Sequence, residues 1–286
     1  MSDQPGGPRT SWGPLERWGL VALGGFTLLA LLGFASFGRN PGLLARFPSL
    51  AGFYSDAFAL FARGHVIIAA GALILVLVRH SGRVWIGPFV GVCGVALTAE
   101  WLGTSTGFPF GEYRYTELLG PRIDGKVPWL IPASWFLMAL PSFAMAVERK
   151  ESRLSQWLLG AVLLTAWDFS LDPAMSYLSP YWVWEGEGIL YGMPLLNVAG
   201  WLVTAFVIMA VLDWTGSRRV VQALPRGFLA VYYLAVLGMS FGMVVVGGLW
   251  ISVALSIPVV VWVGSQWRSI RARTDLSGLA HAGGTS

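Results

Sequence analysis

Apolar runs long enough to cross a bilayer recur along this chain of 286 residues, and they leave few folds open to it. In hydrocarbon every backbone N–H and C=O must find a partner within the protein, so such runs become helices that pack together. A crossing takes about 20 residues. Spans fall at about 15–37, 57–78, 84–102, 130–147, 154–171 and 195–212. The last apolar block, 228–264, would measure about 55 Å as one helix. That is too long for one crossing, and Gly247-Gly248 divides it into two. Only 12% of the residues are charged, about half the share of a soluble domain. The expected fold is an all-α integral membrane protein, a polytopic bundle of about eight transmembrane helices.

Residues 1–14 read as a disordered polar tail, 15–265 as a single transmembrane domain, and 266–286 as a basic and then disordered tail. Eight crossings bring both termini to one side. Most of the 19 Lys and Arg lie in the N-terminal tail and in the turns after even-numbered spans. The opposite loop YLSPYWVWEGEGILYGMP has none. The positive-inside rule makes both termini cytoplasmic, and the cell membrane is the expected location. Topology thus accounts for the net charge of +4, and no nucleic-acid partner is expected. The first run is long enough to span and no small-residue cleavage site follows it, so no cleavable leader is expected. The single Cys93 gives no disulfide framework, and no His-x-x-Glu-His or comparable ligand set occurs, so no metal site is expected.

Hydrophobicity does not explain the stretch 98–132. It opens with Glu100 inside an apolar run, continues through Gly, aromatic and charged residues, and re-enters apolar sequence at Pro128-Trp129-Leu130. In the eight-span topology, Glu100 and Asp168/Asp172 stand near the outward ends of spans three and five. Arg63, His65 and Asn197 stand near the outward starts of spans two and six. Each ionisable group within a span costs about 2.5–3.5 kcal/mol, so their convergence needs a reason.

Asp168 and Asp172, four residues apart, share a helix face. In a low dielectric two such carboxylates resist ionising together, so one is expected to keep a proton near neutral pH, as a general acid must. The structural alternative has Asp172 capping the chain reversal before Pro173 and Asp168 bonding a neighbouring helix. Glu100 reads as a second acid, a base for water, or the structural partner of Arg63. His65 alone reads more readily as a core histidine. Aromatics crowd the same face: Trp101, Phe108, Phe110, Tyr113, Tyr115 and Trp129, then Trp167, Tyr181, Trp182, Trp184 and Tyr191. They form an interfacial belt, or line an extended apolar substrate and turn ring faces toward a developing cation.

The segments EWLGTSTGFPFGEYRYTELLGPRI, VPWLIPASWFLMALP, AWDFSLDPAM and YGMPLLNVAGW resemble the membrane-bound carotenoid hydratases. These comprise the γ-carotene 1′,2′-hydratases of bacteria and the bisanhydrobacterioruberin hydratases of haloarchaea. The resemblance covers spans two to eight in order. It implies addition of water across the terminal C1=C2 bond of an acyclic carotenoid ψ-end group, with no redox cofactor. The implied partners are a carotenoid in the bilayer, water, membrane lipids and other enzymes of carotenoid synthesis. Residue roles then follow from the chemistry. Asp168 and Asp172 supply the acid, Glu100 with His65 handles water, and Trp101 or Trp167 faces the cation. Arg63, Phe108, Phe110, Tyr113, Tyr115, Trp182 and Asn197 complete the expected substrate contacts.

Three rivals remain. A transporter also carries intramembrane carboxylates and an arginine, but repeated halves are not visible. A prenyltransferase needs paired Asp-rich motifs for magnesium, and DFSLD stands alone. A carotenoid cyclase begins with the same protonation and differs in what captures the cation.

Overall fold

The computed structural model describes residues 12–149 and 151–282. The chain begins with α1 (Pro14–Gly33), which ends in a wide π turn (Phe34–Gly38), and continues through α2 (Pro41–Arg46), α3 (Pro48–Ser81) and α4 (Ile86–Thr106). The strands β1 (Tyr113–Tyr115), β2 (Arg122–Ile123) and β3 (Val127–Pro128) follow, then α5 (Leu130–Val147) and α6 (Arg153–Asp172). A second π turn (Pro173–Tyr177) extends α6. Then come β4 (Trp182–Trp184), α7 (Leu195–Trp214), α8 (Ser217–Ala223), α9 (Phe228–Gly247) and α10 (Trp250–Ala282). Among the described residues, all of these helices except α2 and α8 are long and apolar enough to cross a membrane, which makes eight. The chain is an all-α, multi-pass membrane protein.

The ends of these helices follow local chemistry. Pro14 and Pro48 occupy first turns, where a missing N–H costs nothing. Gly107, at φ +75°, closes α4 by returning its N–H to the Gly103 carbonyl. Ser152 caps α6, its Oγ accepting from the Ser155 N–H at 3.2 Å. Gly248, at φ +74°, ends α9 and separates the last two spans where the Gly-Gly pair predicts.

At the centre stands α5, buried on almost every side and packed against α3, α4, α6, α7 and α9. A helix that is apolar all round belongs in such a position. Lipid offers no hydrophobic drive for helices to associate, so small residues must let them approach closely. A Cβ on Gly160 would stand 2.5 Å from Met209 Sδ, and one on Gly242 would stand 2.3 Å from Leu31 Cδ1. Two tyrosines of α9 tie it to its neighbours. Tyr232 donates to the Ala69 carbonyl of α3 at 2.9 Å, and Tyr233 donates to the Leu163 carbonyl of α6 at 2.6 Å.

The structure departs from the sequence reading in three places. Helix α3 starts at Pro48, well upstream of residue 57, and so joins the second half of LLARFPSLAGF, a segment read from sequence as a loop with a short surface helix, to the span; its 34 residues extend about 51 Å. The α-helix α6 ends at Asp172, with Pro173 as its cap, but the chain does not reverse there; it continues into a wide turn, closed by the Leu178 N–H on the Pro173 carbonyl at 3.1 Å. Helix α10 continues past residue 265 to Ala282. Of the expected N-terminal tail, residues 1–11 lie outside the described residues.

The loop after α4 and the loop after α6 join. Strands β1 and β4 pair antiparallel, with Tyr113 opposite Trp184 and Tyr115 opposite Trp182. The Thr116 N–H to the Tyr181 carbonyl and the Glu185 N–H to the Glu112 carbonyl, both 2.9 Å, extend the ribbon. The ribbon packs on the end of α4 and on the π turn after α6.

The loop before β1 presses against α7 at Gly200, where an added Cβ would lie 2.5 Å from the Pro109 carbonyl oxygen. Because that atom is backbone, Gly200→Ala is expected to lower stability by about 1–3 kcal/mol. Gly25→Ala, whose Cβ meets nothing within 4 Å, is expected to be neutral or slightly stabilising. Thermal unfolding in detergent distinguishes the two.

Candidate active site

A cavity of 580 Å³ lies among α1, α3, α4, α5, α6, α7 and α9, under the ribbon, and its walls are mostly aliphatic and aromatic side chains. Glu100, Asp168 and Asp172 also line it, each no more than 5% exposed.

Glu100 is held from three directions. Tyr113 and Tyr115 donate to its Oε2 at 2.5 and 2.7 Å, and Trp135 Nε1 donates to Oε1 at 2.9 Å. Gly103, three residues along α4, makes this possible, since a Cβ there would stand 2.9 Å from the Tyr113 hydroxyl. Burial, and after it the charge of Glu100, pushes both tyrosine hydroxyls well above their ordinary range. They therefore stay protonated and go on donating at any working pH.

Asp172 is held in the same manner. Ser176 Oγ and Trp184 Nε1 donate to Oδ1 at 2.7 and 3.0 Å, and Trp182 Nε1 donates to Oδ2 at 3.1 Å. The period of two along a strand explains the division of labour. Tyr113 and Tyr115 share one face of β1 and reach Glu100, while Trp182 and Trp184 share one face of β4 and reach Asp172.

Asp168 differs. Asn197 Nδ2 donates to its Oδ2 at 2.7 Å, but Oδ1 is buried with no protein partner. Three other buried polar atoms of cavity residues also lack protein partners: His65 Nε2, Trp167 Nε1 and the Tyr54 hydroxyl. His65 Nδ1 lies 3.3 Å from Thr27 Oγ1. A tryptophan cluster stands beside these groups. Trp135 stacks on Trp201 at 4.1 Å, and Trp167 meets Trp201 edge-on at 6.0 Å. The site thus combines an uncommitted carboxyl oxygen, a buried imidazole flanked by Thr27 and the Val236 backbone, and large aromatic faces in an otherwise apolar cavity.

Of the residues selected from sequence, His65, Glu100, Phe110, Tyr113, Tyr115, Trp167, Asp168, Asp172, Trp182 and Asn197 line this one cavity. Arg63, Trp101 and Phe108 do not. Arg63 does not pair with Glu100; its guanidinium donates to the Leu118 and Glu117 carbonyls at 2.8 and 3.0 Å and fastens the loop to α3. Trp101 faces outward, bonded to Asp124 at 2.9 Å with Lys126 over its ring, and Phe108 is 66% exposed. The sequence reading missed Trp135 and Trp201. A usable signal existed for Trp201, which stands four residues after Asn197 and so shares its helix face.

The profile of the family described as "carotenoid biosynthesis protein" matches residues 61–263, a region that contains every carboxylate of the site. Bisanhydrobacterioruberin hydratase of Haloarcula japonica is 30% identical over 148 residues, covering 47% of this chain and 50% of that protein. The match thus spans about half the length of this curated relative. No solved structure matches the chain. With most of its length matched in a single stretch, the chain belongs to the carotenoid biosynthesis protein family.

Proposed function

We propose that this protein hydrates carotenoids, adding water across the terminal C1=C2 bond of an acyclic ψ-end group, as in γ-carotene or lycopene, to give a tertiary 1-hydroxy carotenoid. The observation that carries this reading is Asp168: alone among the three cavity carboxylates, it has an oxygen with no donor on it. The hydratase relative supports the reaction class.

Asn197 fixes Oδ2, so Oδ1 is the atom that delivers the proton. Protonation at C2 breaks the π bond and leaves a tertiary cation at C1. The faces of Trp167 and Trp201 stabilise that charge, as aromatic rings do for cations. Water adds its oxygen to C1, and His65 Nε2 accepts the surplus proton, which returns to Asp168 to complete the cycle. Hydrogen ends on C2 and hydroxyl on C1, with no net oxidation, so the reaction itself calls for no redox cofactor. Glu100 and Asp172, each engaged by three donors, act as positioning residues that hold the ribbon and place fixed negative charge near the cation. Of the pair Glu100 and His65, to which the sequence reading gave the handling of water, this reading keeps His65 alone. The charge bias of the loops puts the site at the outer face of the cell membrane, where the polyene lies in lipid and water is near.

The test is expression in a host that accumulates γ-carotene or lycopene. The expected product is heavier by one water for each ψ end hydrated, carries heavy oxygen on each new hydroxyl when made in labelled water, and gains one deuterium at each C2 in deuterated water. A product of unchanged mass and altered spectrum would mean cyclisation instead. Asp168→Asn is expected to lower the rate by about 100-fold or more while leaving thermal unfolding in place. Trp184→Phe keeps the ring and removes one donor from Asp172. It is expected to cost about 1–3 kcal/mol of stability and to leave measurable activity; a loss as complete as that of Asp168→Asn would make Asp172 the acid.

A further inference from the structure

The cavity is closed at its carboxylates and open at its far side. Asp168 is 2% exposed, whereas other lining residues, Leu29, Leu32 and Phe53, are 59%, 56% and 65% exposed. Leu29 and Leu32 lie on α1 and Phe53 on the first turns of α3, two helices long and apolar enough to cross a membrane, and exposed leucine and phenylalanine side chains on such helices suit lipid rather than water. The opening is shaped by the π turn at the end of α1, a wide turn of a kind frequent at functional sites. Phe37 of that turn meets Tyr54 at 5.9 Å, and Tyr54 meets Phe58 edge-on at 5.1 Å, giving the opening an aromatic rim. Tyr54 can lean in because residue 38 is glycine; a Cβ there would stand 2.6 Å from its hydroxyl. Tyr181, next to β4, donates to the Phe58 carbonyl at 2.6 Å, so the α3 wall is tied to the ribbon that holds the carboxylates.

We infer that the gap between the wide turn of α1 and the first turns of α3 is a lateral portal from the bilayer, through which a polyene passes one end group toward Asp168 while its far end stays in lipid. The inference rests on the hydration reading and adds to it a rule of specificity. A slot closed at one end and open to lipid at the other reads the ψ end and the adjoining polyene, and makes no contact with the opposite terminus. A monocyclic carotenoid is then hydrated once. An acyclic one is hydrated at both ends in two separate encounters, with release between them.

Gly33 provides the test. It lines the cavity near the portal, and a Cβ built on it meets nothing within 4 Å, so a larger side chain there starts into open space and narrows the portal. Gly25, on the same helix, is equally open and does not line the cavity. The experiment follows hydration of γ-carotene in membranes containing wild type, Gly33→Leu, Gly33→Trp or Gly25→Trp, with thermal unfolding measured in parallel. The expected result is a graded loss with side-chain size, reaching about 10-fold or more in Gly33→Trp, while Gly25→Trp keeps the wild-type rate and all four proteins unfold alike. If Gly33→Trp is lost from the membrane, Gly33→Leu decides by the same comparison. Wild-type rates in the folded Gly33 variants would overturn the portal, and so would an equal loss in Gly25→Trp. Failure of the wild-type protein itself to hydrate either γ-carotene or lycopene would instead remove the functional reading on which the portal rests.

Discussion

A carboxylate placed inside a membrane protein must be surrounded by donors, and the architecture of this chain follows from meeting that demand. Each such group costs about 2.5–3.5 kcal/mol to insert, and a hydrogen bond to a charged group returns about 1.5–3 kcal/mol. Three donors are therefore enough to offset one carboxylate. Glu100 receives Tyr113, Tyr115 and Trp135; Asp172 receives Ser176, Trp182 and Trp184. Four of these six come from the ribbon, so the two loops that form it serve as the solvation shell of the two acids. Asp168 has one donor, and the shortfall falls on the oxygen that the proposed chemistry uses.

The same bonds couple distant parts of the chain. The ribbon forms only when the loop after α4 meets the loop after α6, and its register decides which aromatic reaches which carboxylate. Gly103 and Gly200 are the close approaches that let the first loop settle against α4 and α7. Arg63 performs the corresponding task on α3, spending its charge on two loop carbonyls. Loop conformation, helix packing and the orientation of the acids are thus a single arrangement. A change in the ribbon is felt at Asp172, and a change at α3 is felt at the opening toward lipid.

Much of this was legible in the residues. Span length and backbone pairing require the bundle, and the Gly-Gly pair after α9 divides the last block correctly. The convergence of Glu100, Asp168, Asp172, His65 and Asn197 follows from topology, because each stands near the same end of its span. What was not legible depends on contacts made across the chain. A charge rule pairs Arg63 with Glu100, whereas bare loop carbonyls compete for the guanidinium and win. Hydropathy drops near Asp56, which sets the expected start of the span, yet nothing after Pro48 breaks a helix and α3 starts at that proline. Pairing of Tyr113 with Trp184 joins two three-residue strands far apart in sequence, with no periodic signal strong enough to announce either. Trp101 and Trp167 both adjoin a carboxylate in sequence, and only the helix rotation shows that one faces outward and the other lines the cavity.

The central claim is that the proton to be delivered resides on Asp168 before substrate arrives. Infrared difference spectroscopy of the purified protein tests it directly, through the carbonyl stretch of a protonated carboxyl group. The account predicts one such band at neutral pH that shifts in deuterated water, disappears in Asp168→Asn and survives in Glu100→Gln. A band that persists in Asp168→Asn and vanishes in Glu100→Gln would place the proton on α4 and contradict the assignment of Asp168 as the acid.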